Sequence, residues 1–382
     1  MFPMRVTRVE LFELVLGLAE PFIISGGMMR ERRSLVVLLG DETGATGYGE
    51  SPPFELPFYS EETLASARDL TERVLIPRVA GREFATPEDV DTVLREGVRG
   101  NPFARAGIET AAWDLAASRR GTGLAALLAE RLGVVAAPAV TCGVALGIPE
   151  DRRPLTLSRS VGEALRLGYR RVKIKVMPDW DDVAVRAARE AMAGSHVPLT
   201  VDANGAYEWP SHERNLRALD DAGLLYIEQP LAPDDLVGHA RLGTVLQTPL
   251  CLDETLKSAS LARQVVDLDG PKVWNIKVHR VGGLAEVCRI YRIAAGAGVA
   301  LWAGTMPESG IGSLAPLAVG ALPGCTYPSD LEPSARWYGA GQDVIELKMG
   351  ADGCMPVSDR SVDRLLVAAR FHAAARRIAV WP

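Results

Sequence analysis

The chain has 382 residues, of which 48% are hydrophobic and 24% are charged, and its formal net charge is −6. These fractions are average for globular proteins and argue against a disordered or fibrous chain. The net negative charge also disfavours nonspecific binding to nucleic acid, because a polyanion binds basic surfaces. At this length we expect a barrel of about 250 residues accompanied by a second domain.

Secreted and membrane proteins are also disfavoured. The N-terminal residues include Arg5, Arg8 and Glu10 and lack the continuous apolar core of a signal peptide. No stretch is long and apolar enough to span a membrane. The five cysteines are odd in number and form no Cys-x-x-Cys pair, a usage typical of reduced thiols. We therefore expect a cytoplasmic protein with neither membrane nor nucleic-acid partners.

The N-terminal third predicts a separate α+β domain, residues 1–135. Strand patterns cover residues 5–16 and 34–39, and a connection rich in glycine and methionine, residues 25–29, lies between them. Helical patterns follow at residues 61–80, 87–97 and 101–120.

From residue 136 onward, short apolar runs alternate with helical stretches, as in a (β/α)8 barrel of the α/β class. The predicted strands are residues 139–146, 171–176, 198–202, 224–228, 249–253, 273–277, 299–303 and 325–328. We expect this barrel domain to span residues 136–330. The remaining segment, residues 331–382, has a helical pattern at 362–378 and is expected to pack back on the N-terminal domain, which it would complete as a cap on the barrel.

Five charged residues follow the predicted strands at nearly even intervals: Lys175, Asp202, Glu228, Asp253 and Lys277. Subtraction of their numbers gives separations of 27, 26, 25 and 24 residues. One strand, one helix and two loops fit this interval, so each residue is predicted at the same place in successive units. Because the ends of successive barrel strands converge on one face, the five side chains should form a single site.

The three carboxylates predict a metal site. Asp202, Glu228 and Asp253 each end an aliphatic run, and oxygen ligands without histidine or cysteine favour Mg²⁺, with Mn²⁺ as an alternative, over zinc. A single aspartate at the end of a strand often caps the next helix, but three carboxylates in register favour the metal.

The flanking lysines predict proton transfer. Lys173 and Lys175 are two positions apart on a strand and therefore point to one side, the barrel interior. Burial and a neighbouring ammonium group favour the neutral amine that Lys175 needs to act as a base. Lys277 is expected to face a substrate from the opposite side, although without the metal pattern an ion pair with Asp253 would explain it.

Five motifs surround these charges. They are Lys173-Ile174-Lys175, Val201-Asp202-Ala203-Asn204, Ile227-Glu228-Gln229-Pro230, Leu252-Asp253-Glu254 and Asn275-Ile276-Lys277. Together they resemble the enolase superfamily, in its muconate-lactonizing enzyme subgroup. Further stretches resemble the o-succinylbenzoate synthase and N-succinylamino-acid racemase family within that subgroup. They are residues 57–62, 280–283, 308–312 and 330–338.

The resemblance implies a role for each of the five evenly spaced residues. Asp202, Glu228 and Asp253 would bind Mg²⁺, and Lys175 and Lys277 would be the acid/base residues. The implied reaction is removal of a proton α to a carboxylate, which produces an enediolate.

The resemblance also implies auxiliary residues. Lys173 would contact the substrate carboxylate, while Asn204 and Glu254 would support the metal ligands. Loops at residues 22–29 and 52–59 would close over the substrate, although an ordinary hairpin turn explains the first of them equally well. Substrate contacts are expected from Phe22, Phe58, Tyr59, Arg280, Glu308, Ser309 and Gly310.

Four positions depart from the usual family pattern, namely Ala145, Gly205, Thr305 and Pro307. They are expected to border the pocket, and the loss of hydroxyl groups there would change how a succinyl group or its replacement is held. The chemistry should therefore survive while the specificity changes.

Two activities on a small-molecule carboxylate are left open by the resemblance. One is dehydration to o-succinylbenzoate, in which one lysine acts first as base and then as acid. The other is racemisation of N-succinyl or other N-acylamino acids, in which both lysines exchange protons. The alternatives are muconate or chloromuconate cycloisomerase, dipeptide epimerase, and a noncatalytic metal-binding barrel, although two inward lysines argue against the last. The resemblance also implies a homo-oligomer.

Overall fold

The computed structural model describes residues 3–24 and 27–382. Its strands are β1 (Met4–Ile24), β2 (Gly27–Asp41), β3 (Thr46–Ser51), β4 (Glu83–Phe84), β5 (Ala139–Thr141), β6 (Val144–Leu146), β7 (Val172–Lys175), β8 (Leu199–Asp202), β9 (Ile227–Glu228), β10 (Leu250–Leu252), β11 (Val273–Ile276), β12 (Ala300–Ala303), β13 (Cys354–Pro356) and β14 (Ala375–Trp381). Its α-helices are α1 (Leu64–Leu70), α2 (Pro87–Arg95), α3 (Pro102–Arg120), α4 (Leu124–Leu132), α5 (Pro154–Arg166), α6 (Asp181–Ala191), α7 (Glu213–Asp220), α8 (Leu236–Val245), α9 (Ala259–Asp267), α10 (Val278–Val281), α11 (Leu284–Ala297), α12 (Gly310–Gly320), α13 (Ser334–Tyr338) and α14 (Ala368–Ala374). None of the helices in these two ranges has the length and hydrophobicity needed to cross a membrane.

The N-terminal strands form an antiparallel sheet in the order β14-β1-β2-β3, and β4 also pairs with β1. Helix α3 lies directly on β3 because two strand positions are glycine. A Cβ atom at Gly47 would lie 2.2 Å from the Leu115 backbone nitrogen, and one at Gly49 would lie 2.2 Å from the Gly107 carbonyl oxygen. The absence of side chains at these two positions lets the sheet and helix pack closely.

The predicted connection at residues 25–29 is wrong in part. Strand β2 already begins at Gly27, and backbone pairing joins Phe22 to Met29 and Ile24 to Gly27. The two strands therefore continue well beyond the apolar runs that predicted them, because cross-strand hydrogen bonds extend the pairing through polar sequence. Residues 25 and 26 lie outside the described ranges.

The helix predicted at residues 61–80 is shorter than expected. It begins at α1 after Thr63, whose side chain accepts a hydrogen bond from the Ser66 backbone nitrogen. A π-helical turn, Thr71–Leu75, and a 3-10 turn, Ile76–Arg78, follow it. Pro77 in the last turn lacks the N–H group that a continuing α-helix would require.

The C-terminal segment returns to the N-terminal sheet, but as a strand. The helix predicted at residues 362–378 is confirmed only at α14. A 3-10 turn, Val362–Arg364, stands at its predicted start, and beyond Ala374 β14 pairs antiparallel with β1 along the sheet edge. Arg376 pairs with Glu13 at 2.7 Å and Arg377 pairs with Glu10 at 3.0 Å. These partners are far apart in sequence, so the local helical pattern carried no sign of them.

Seven parallel strands form the barrel, in the order β12-β11-β10-β9-β8-β7-β6. All residues of β7, β8 and β11 are buried, as expected for strands enclosed by helices on one side and barrel core on the other. The predicted fold class is confirmed: an α/β barrel carries an N-terminal α+β cap that the C-terminal segment completes. The boundaries at residues 135 and 330 stay predictions.

The two predicted strands that flank the barrel seam differ from expectation. The first, at residues 139–146, is split into β5, which pairs with β13, and β6, which belongs to the barrel. The eighth, at residues 325–328, is reduced to isolated bridges from Cys325 to Leu301 and from Ser329 to Cys142. Pro328 has no N–H group to donate to a ladder, which limits this segment to such bridges.

Gly283 joins the barrel to the cap at the start of α11. Its φ of 123° and ψ of 178° lie in a region that only glycine adopts readily. A Cβ atom there would lie 2.1 Å from Glu109 Oε2, in the carboxylate that accepts hydrogen bonds from the Leu284 and Ala285 backbone nitrogens at 2.7 and 2.8 Å. Glu109 in α3 of the N-terminal domain thus provides the N-terminal cap of the barrel helix α11.

We expect Gly283→Ala to lower the free energy of unfolding by about 1–3 kcal/mol, because alanine is strained in this backbone conformation. Gly296→Ala in the same helix is the matched control, since a Cβ atom there meets nothing within 4 Å. That control should gain about 0.5–1 kcal/mol from helix propensity. Denaturant titration measures both effects. A Gly283→Ala variant as stable as the parent would contradict the expected backbone strain.

Candidate active site

Three buried carboxylates converge at one end of the barrel. Asp202 and Glu228 end β8 and β9, and Asp253 directly follows β10. One oxygen from each lies within 4.8 Å of the other two, and the three side chains are buried. Buried carboxylates in such proximity repel one another unless a cation or proton compensates them. The donor set fits a divalent cation that prefers oxygen ligands, as the sequence predicts.

Two lysines lie on opposite sides of this carboxylate triad. Lys175 ends β7, and its Nζ donates to Asp202 Oδ2 at 2.6 Å and to Asn204 Oδ1 at 2.8 Å. Lys277 follows β11, and its Nζ lies 2.9 Å from Asp253 Oδ2. Since β8, β9 and β10 lie between β7 and β11 in the sheet, the carboxylates separate the two amines.

Lys173 lies beside the triad, on the same strand as Lys175. Its Nζ donates to Glu228 Oε2 at 2.9 Å and lies 2.6 Å from Asp330 Oδ2. It also lies 4.8 Å from the centre of the Trp302 ring. Asp330 in turn pairs with Arg171, two positions before Lys173. Lys173 and Lys175 in β7 and Arg171 immediately before it thus place three cations at alternate positions on one side of the chain.

The charges in the site perturb one another strongly. Burial raises the pKa of Asp202, but the nearby Lys175 and Lys173 outweigh this effect and lower its pKa to about 2. Burial and the neighbouring Asp202 carboxylate raise the pKa of Glu228. A cation among these carboxylates would relieve the repulsion that Glu228 experiences, which supports the metal assignment.

The pKa values of two lysines respond to the same carboxylates. Burial lowers the pKa of Lys173, but Asp330 and Glu228 outweigh burial, and the net effect is a raised pKa. Burial likewise lowers the pKa of Lys277, whereas Tyr59 and Glu254 contribute to a net increase. The negative charge around both amines thus outweighs burial, and a cation bound to the carboxylates would reduce this effect.

Several amides and one further carboxylate support the ligands. Asn204 Nδ2 donates to Glu254 Oε1 at 2.7 Å, which brings together the two predicted supporting residues. Asn275 Nδ2 donates to Glu228 Oε1 at 2.9 Å. Gln229 Oε1 accepts from the backbone nitrogen of Asp253 at 3.0 Å. The roles of Asn275 and Gln229 were not predicted, although both residues belong to motifs that resemble the enolase superfamily.

Tyr59 is a residue of the cap whose side chain lies in the active site. Lys277 Nζ donates to Tyr59 Oη at 3.0 Å, and Tyr59 Oη donates to Asp253 Oδ1 at 3.3 Å. Arg280 forms an ion pair with the same Asp253 carboxylate, and its Nη2 donates to the Asn275 carbonyl oxygen at 2.6 Å. Arg280 is thus a neighbour of Lys277 and Tyr59 in the site.

Glu308, Ser309 and Gly310, which were predicted to contact the substrate, have other partners. Ser309 Oγ donates to Glu50, and the Gly310 backbone nitrogen donates to Asp343 at 3.0 Å. Glu308 Oε1 lies 3.0 Å from His279 Nδ1. These contacts join the start of α12 to β3, to the C-terminal segment and to α10, respectively. Their predicted role as substrate contacts stays a prediction.

A cavity opens above the lysines and the carboxylates. The residues that line it are Phe22, Phe54, Tyr59, Ala145, Lys173, Lys175, Asn204, Lys277, Thr305, Met306, Pro307, Asp330, Glu332 and Trp337. Within the described part of the chain, this set includes neither Phe58 nor Arg280, and Glu308, Ser309 and Gly310 are also absent from it. Phe58 instead stacks on Phe54 with ring centres 4.7 Å apart.

The lining also includes residues whose role the sequence did not reveal. Asp330, Glu332 and Trp337 lie in a stretch that resembles the family, but no periodicity marked them individually. Phe54 and Met306 belong to a buried cluster with Phe103. Of the four departures from the family pattern, Ala145, Thr305 and Pro307 line the cavity.

Known proteins match this chain over nearly its whole length. Residues 7–129 match the mandelate racemase / muconate lactonizing enzyme N-terminal domain, and residues 156–361 match the enolase C-terminal domain-like family. An N-succinylamino acid racemase from Thermus thermophilus is 42% identical over 360 residues, which are 93% of each chain. An o-succinylbenzoate synthase from Geobacillus stearothermophilus is 38% identical over 91% of this chain and 90% of that protein. The crystal structure of an enolase superfamily member from Listeria innocua has a TM-score of 0.90 at 29% identity and covers 99% of both chains.

Proposed function

Because the chain belongs to the mandelate racemase and muconate lactonizing enzyme family of the enolase superfamily, we propose that it is a Mg²⁺-dependent racemase of N-acylamino acids. One observation carries the proposal. Lys175 and Lys277 lie on opposite sides of a buried carboxylate triad, an arrangement that permits proton transfer at both faces of one carbon atom. The 42% identical racemase supports the choice of substrate class.

The residues of the site divide the work of binding and proton transfer. The chemistry supplied by a Mg²⁺ ion held by Asp202, Glu228 and Asp253 is stabilisation of negative charge on the substrate carboxylate. Lys173 is buried beside Glu228 and adds positive charge on the same side. Tyr59 covers the site from the cap and excludes water, which strengthens these electrostatic interactions.

The two lysines act in turn. One amine removes the α-proton of one enantiomer, and the electron pair moves into the carboxylate to give an enediolate. The other ammonium group then returns a proton to the opposite face. The hydrogen bonds from Lys175 to Asn204 and from Lys277 to Tyr59 hold the amines in place for these transfers.

The proposal is tested by incubating each enantiomer of an N-acylamino acid with the enzyme and Mg²⁺ in D₂O. We expect the α-hydrogen to exchange for deuterium and the optical rotation to decay to zero, since both faces receive solvent-derived protons. Nuclear magnetic resonance measures the exchange, and polarimetry measures the racemisation. Absence of both signals with every N-acylamino acid in a panel of apolar side chains would reject the racemase.

A second candidate is o-succinylbenzoate synthase, which the 38% identical relative supports. Dehydration requires one lysine that acts first as base and then as acid, so Lys175 alone would suffice. The test is the formation of o-succinylbenzoate from its cyclohexadiene carboxylate precursor. If the Lys277→Ala variant forms this product as fast as the parent enzyme, synthase activity is favoured over racemisation.

The proposal also covers the identity of the metal, the oligomeric state and the cellular location. Three oxygen ligands without nitrogen or sulfur support Mg²⁺, and Mn²⁺ would fit the same carboxylates. The five cysteines are free, which supports a reducing cytoplasm. A homo-oligomer follows from the family resemblance alone and is tested by the mass of the protein in solution.

A further inference from the structure

Glu332 occupies the pocket wall beside Lys173 and has no role in metal binding or proton transfer. Its side chain is buried, and the residue is 7% exposed. Oε1 accepts a hydrogen bond from the Ala145 backbone nitrogen at 3.0 Å, and Oε2 pairs with Arg336 Nε at 2.5 Å. Ala145 itself lies opposite Lys173 in the pairing of β6 with β7. A carboxylate of the protein is thus built into the substrate cavity.

The hydrogen-bond donors on this side of the cavity already pair with carboxylates of the protein itself. Arg336 also donates through Nη2 to the Ala145 carbonyl oxygen at 3.0 Å, which holds it beside β6. Asp330 likewise pairs with Lys173 and Arg171. A second carboxylate on a substrate would need donors here, and Glu332 and Asp330 already engage them.

Another part of the cavity lining is apolar. Phe54 and Met306 belong there to a buried apolar cluster, and Phe58 and Tyr59 pack against it. Besides its hydrogen and carboxylate, the α-carbon of an N-acylated apolar amino acid carries an apolar side chain and a polar amide. The side chain suits the apolar wall, and the acyl amide then extends toward Ala145 and Glu332.

We propose that Glu332 is a specificity-determining residue that makes this enzyme prefer an uncharged acyl group, such as acetyl, over a succinyl group. The inference deepens the proposed racemase activity and rests on it. A succinyl carboxylate would meet the Glu332 carboxylate directly. To bind, it would have to displace Glu332 from Arg336 and leave a buried charge without a partner, which is unfavourable. An acetyl group makes no such demand.

The wild-type enzyme provides the first test. We expect kcat/KM for racemisation of N-acetylmethionine to exceed that of N-succinylmethionine by about tenfold, the scale on which one pocket contact discriminates substrates. The difference should lie mainly in KM, because the acyl end is remote from the reacting carbon. This comparison requires no variant and is therefore independent of effects on folding.

Glu332→Gln provides the second test. The amide still accepts from the Ala145 backbone nitrogen, but it no longer neutralises Arg336. The free guanidinium should then pair with the succinyl carboxylate and raise the ratio of kcat/KM for N-succinylmethionine to kcat/KM for N-acetylmethionine by about tenfold. The double variant Glu332→Gln/Arg336→Ala should lose this gain. Glu346→Gln is the matched control, since Glu346 pairs with Arg370 outside the cavity lining.

The outcomes separate the two proposals. A wild-type preference for the succinyl substrate, or an unchanged substrate ratio in Glu332→Gln, would overturn the role of Glu332 while racemisation itself stands. If neither methionine derivative nor any other N-acylamino acid of the panel exchanges its α-hydrogen, the racemase proposal fails, and the specificity proposal fails with it.

Discussion

Replacing Lys277 by alanine is expected to reduce racemisation by about 10²–10⁴-fold, the contribution of one general acid or base. The variant should nevertheless exchange the α-hydrogen of one enantiomer for deuterium, because Lys175 still faces one side of the substrate. Lys175→Ala should show the reverse selectivity. This split follows from the placement of the two amines on β7 and beyond β11, with three carboxylate-bearing strand ends between them.

Lys272→Ala serves as the control for this experiment. Lys272 pairs with Asp269 at 2.9 Å at the other end of the same strand, and its side chain is 48% exposed. Its removal should leave both racemisation and exchange unchanged. Nuclear magnetic resonance in D₂O, run separately on each enantiomer, measures the selectivity. Unchanged racemisation by Lys277→Ala would refute its role as a base and leave it as an ion-pair partner of Asp253.

Removal of the divalent cation is expected to abolish turnover, and added Mg²⁺ should restore it. Stabilisation of a developing negative charge by a metal ion is worth several kcal/mol, which corresponds to about 10³-fold in rate. Glu228→Gln should cause a loss of similar size and also weaken Mg²⁺ binding, because one anionic oxygen of the triad becomes neutral. Titration calorimetry measures the binding, and an α-hydrogen exchange assay measures the rate.

A matched carboxylate controls for the change in net charge. Asp269→Asn removes one negative charge from a side chain that is 90% exposed and lies outside the triad, so it should leave Mg²⁺ affinity and turnover unchanged. Mg²⁺ should also raise the unfolding temperature of the parent protein more than that of Glu228→Gln, since a ligand stabilises only the state that binds it. Full activity after exhaustive chelation would contradict the metal assignment.

The five evenly spaced charges of the site were predictable because all of them occupy the same position, at the end of a barrel strand. Each of the five charges follows a barrel strand, so a repeated interval in the sequence became convergence in space, and the predicted superfamily is confirmed by matches over both halves of the chain. Glu332 and Trp337 follow the last barrel strand, just before and within the short helix α13, where no period links sequence to position. Their presence in the cavity depends on how this part of the chain closes the barrel seam.

The fold shows the same division between local and distant causes. The barrel strands were predictable from short apolar runs, whereas β14 was predicted as helix because Ala368–Ala374 is helical and its pattern continues. The pairing partner of β14 is the first strand of the chain, and local sequence carries no information about such a partner. Similarly, Pro328 and the bridges of Ser329 leave the eighth strand position without a regular ladder.

The pairing of β14 with β1 has a consequence for the order of synthesis. The Glu13–Arg376 contact joins residues 363 positions apart, so β1 emerges from the ribosome long before its neighbour exists. Until then β1 exposes an edge with open backbone groups, the kind of surface that recruits other strands. The barrel, by contrast, is assembled from neighbours that follow one another in translation. Completion of the cap therefore requires β14, which follows the whole barrel in the chain.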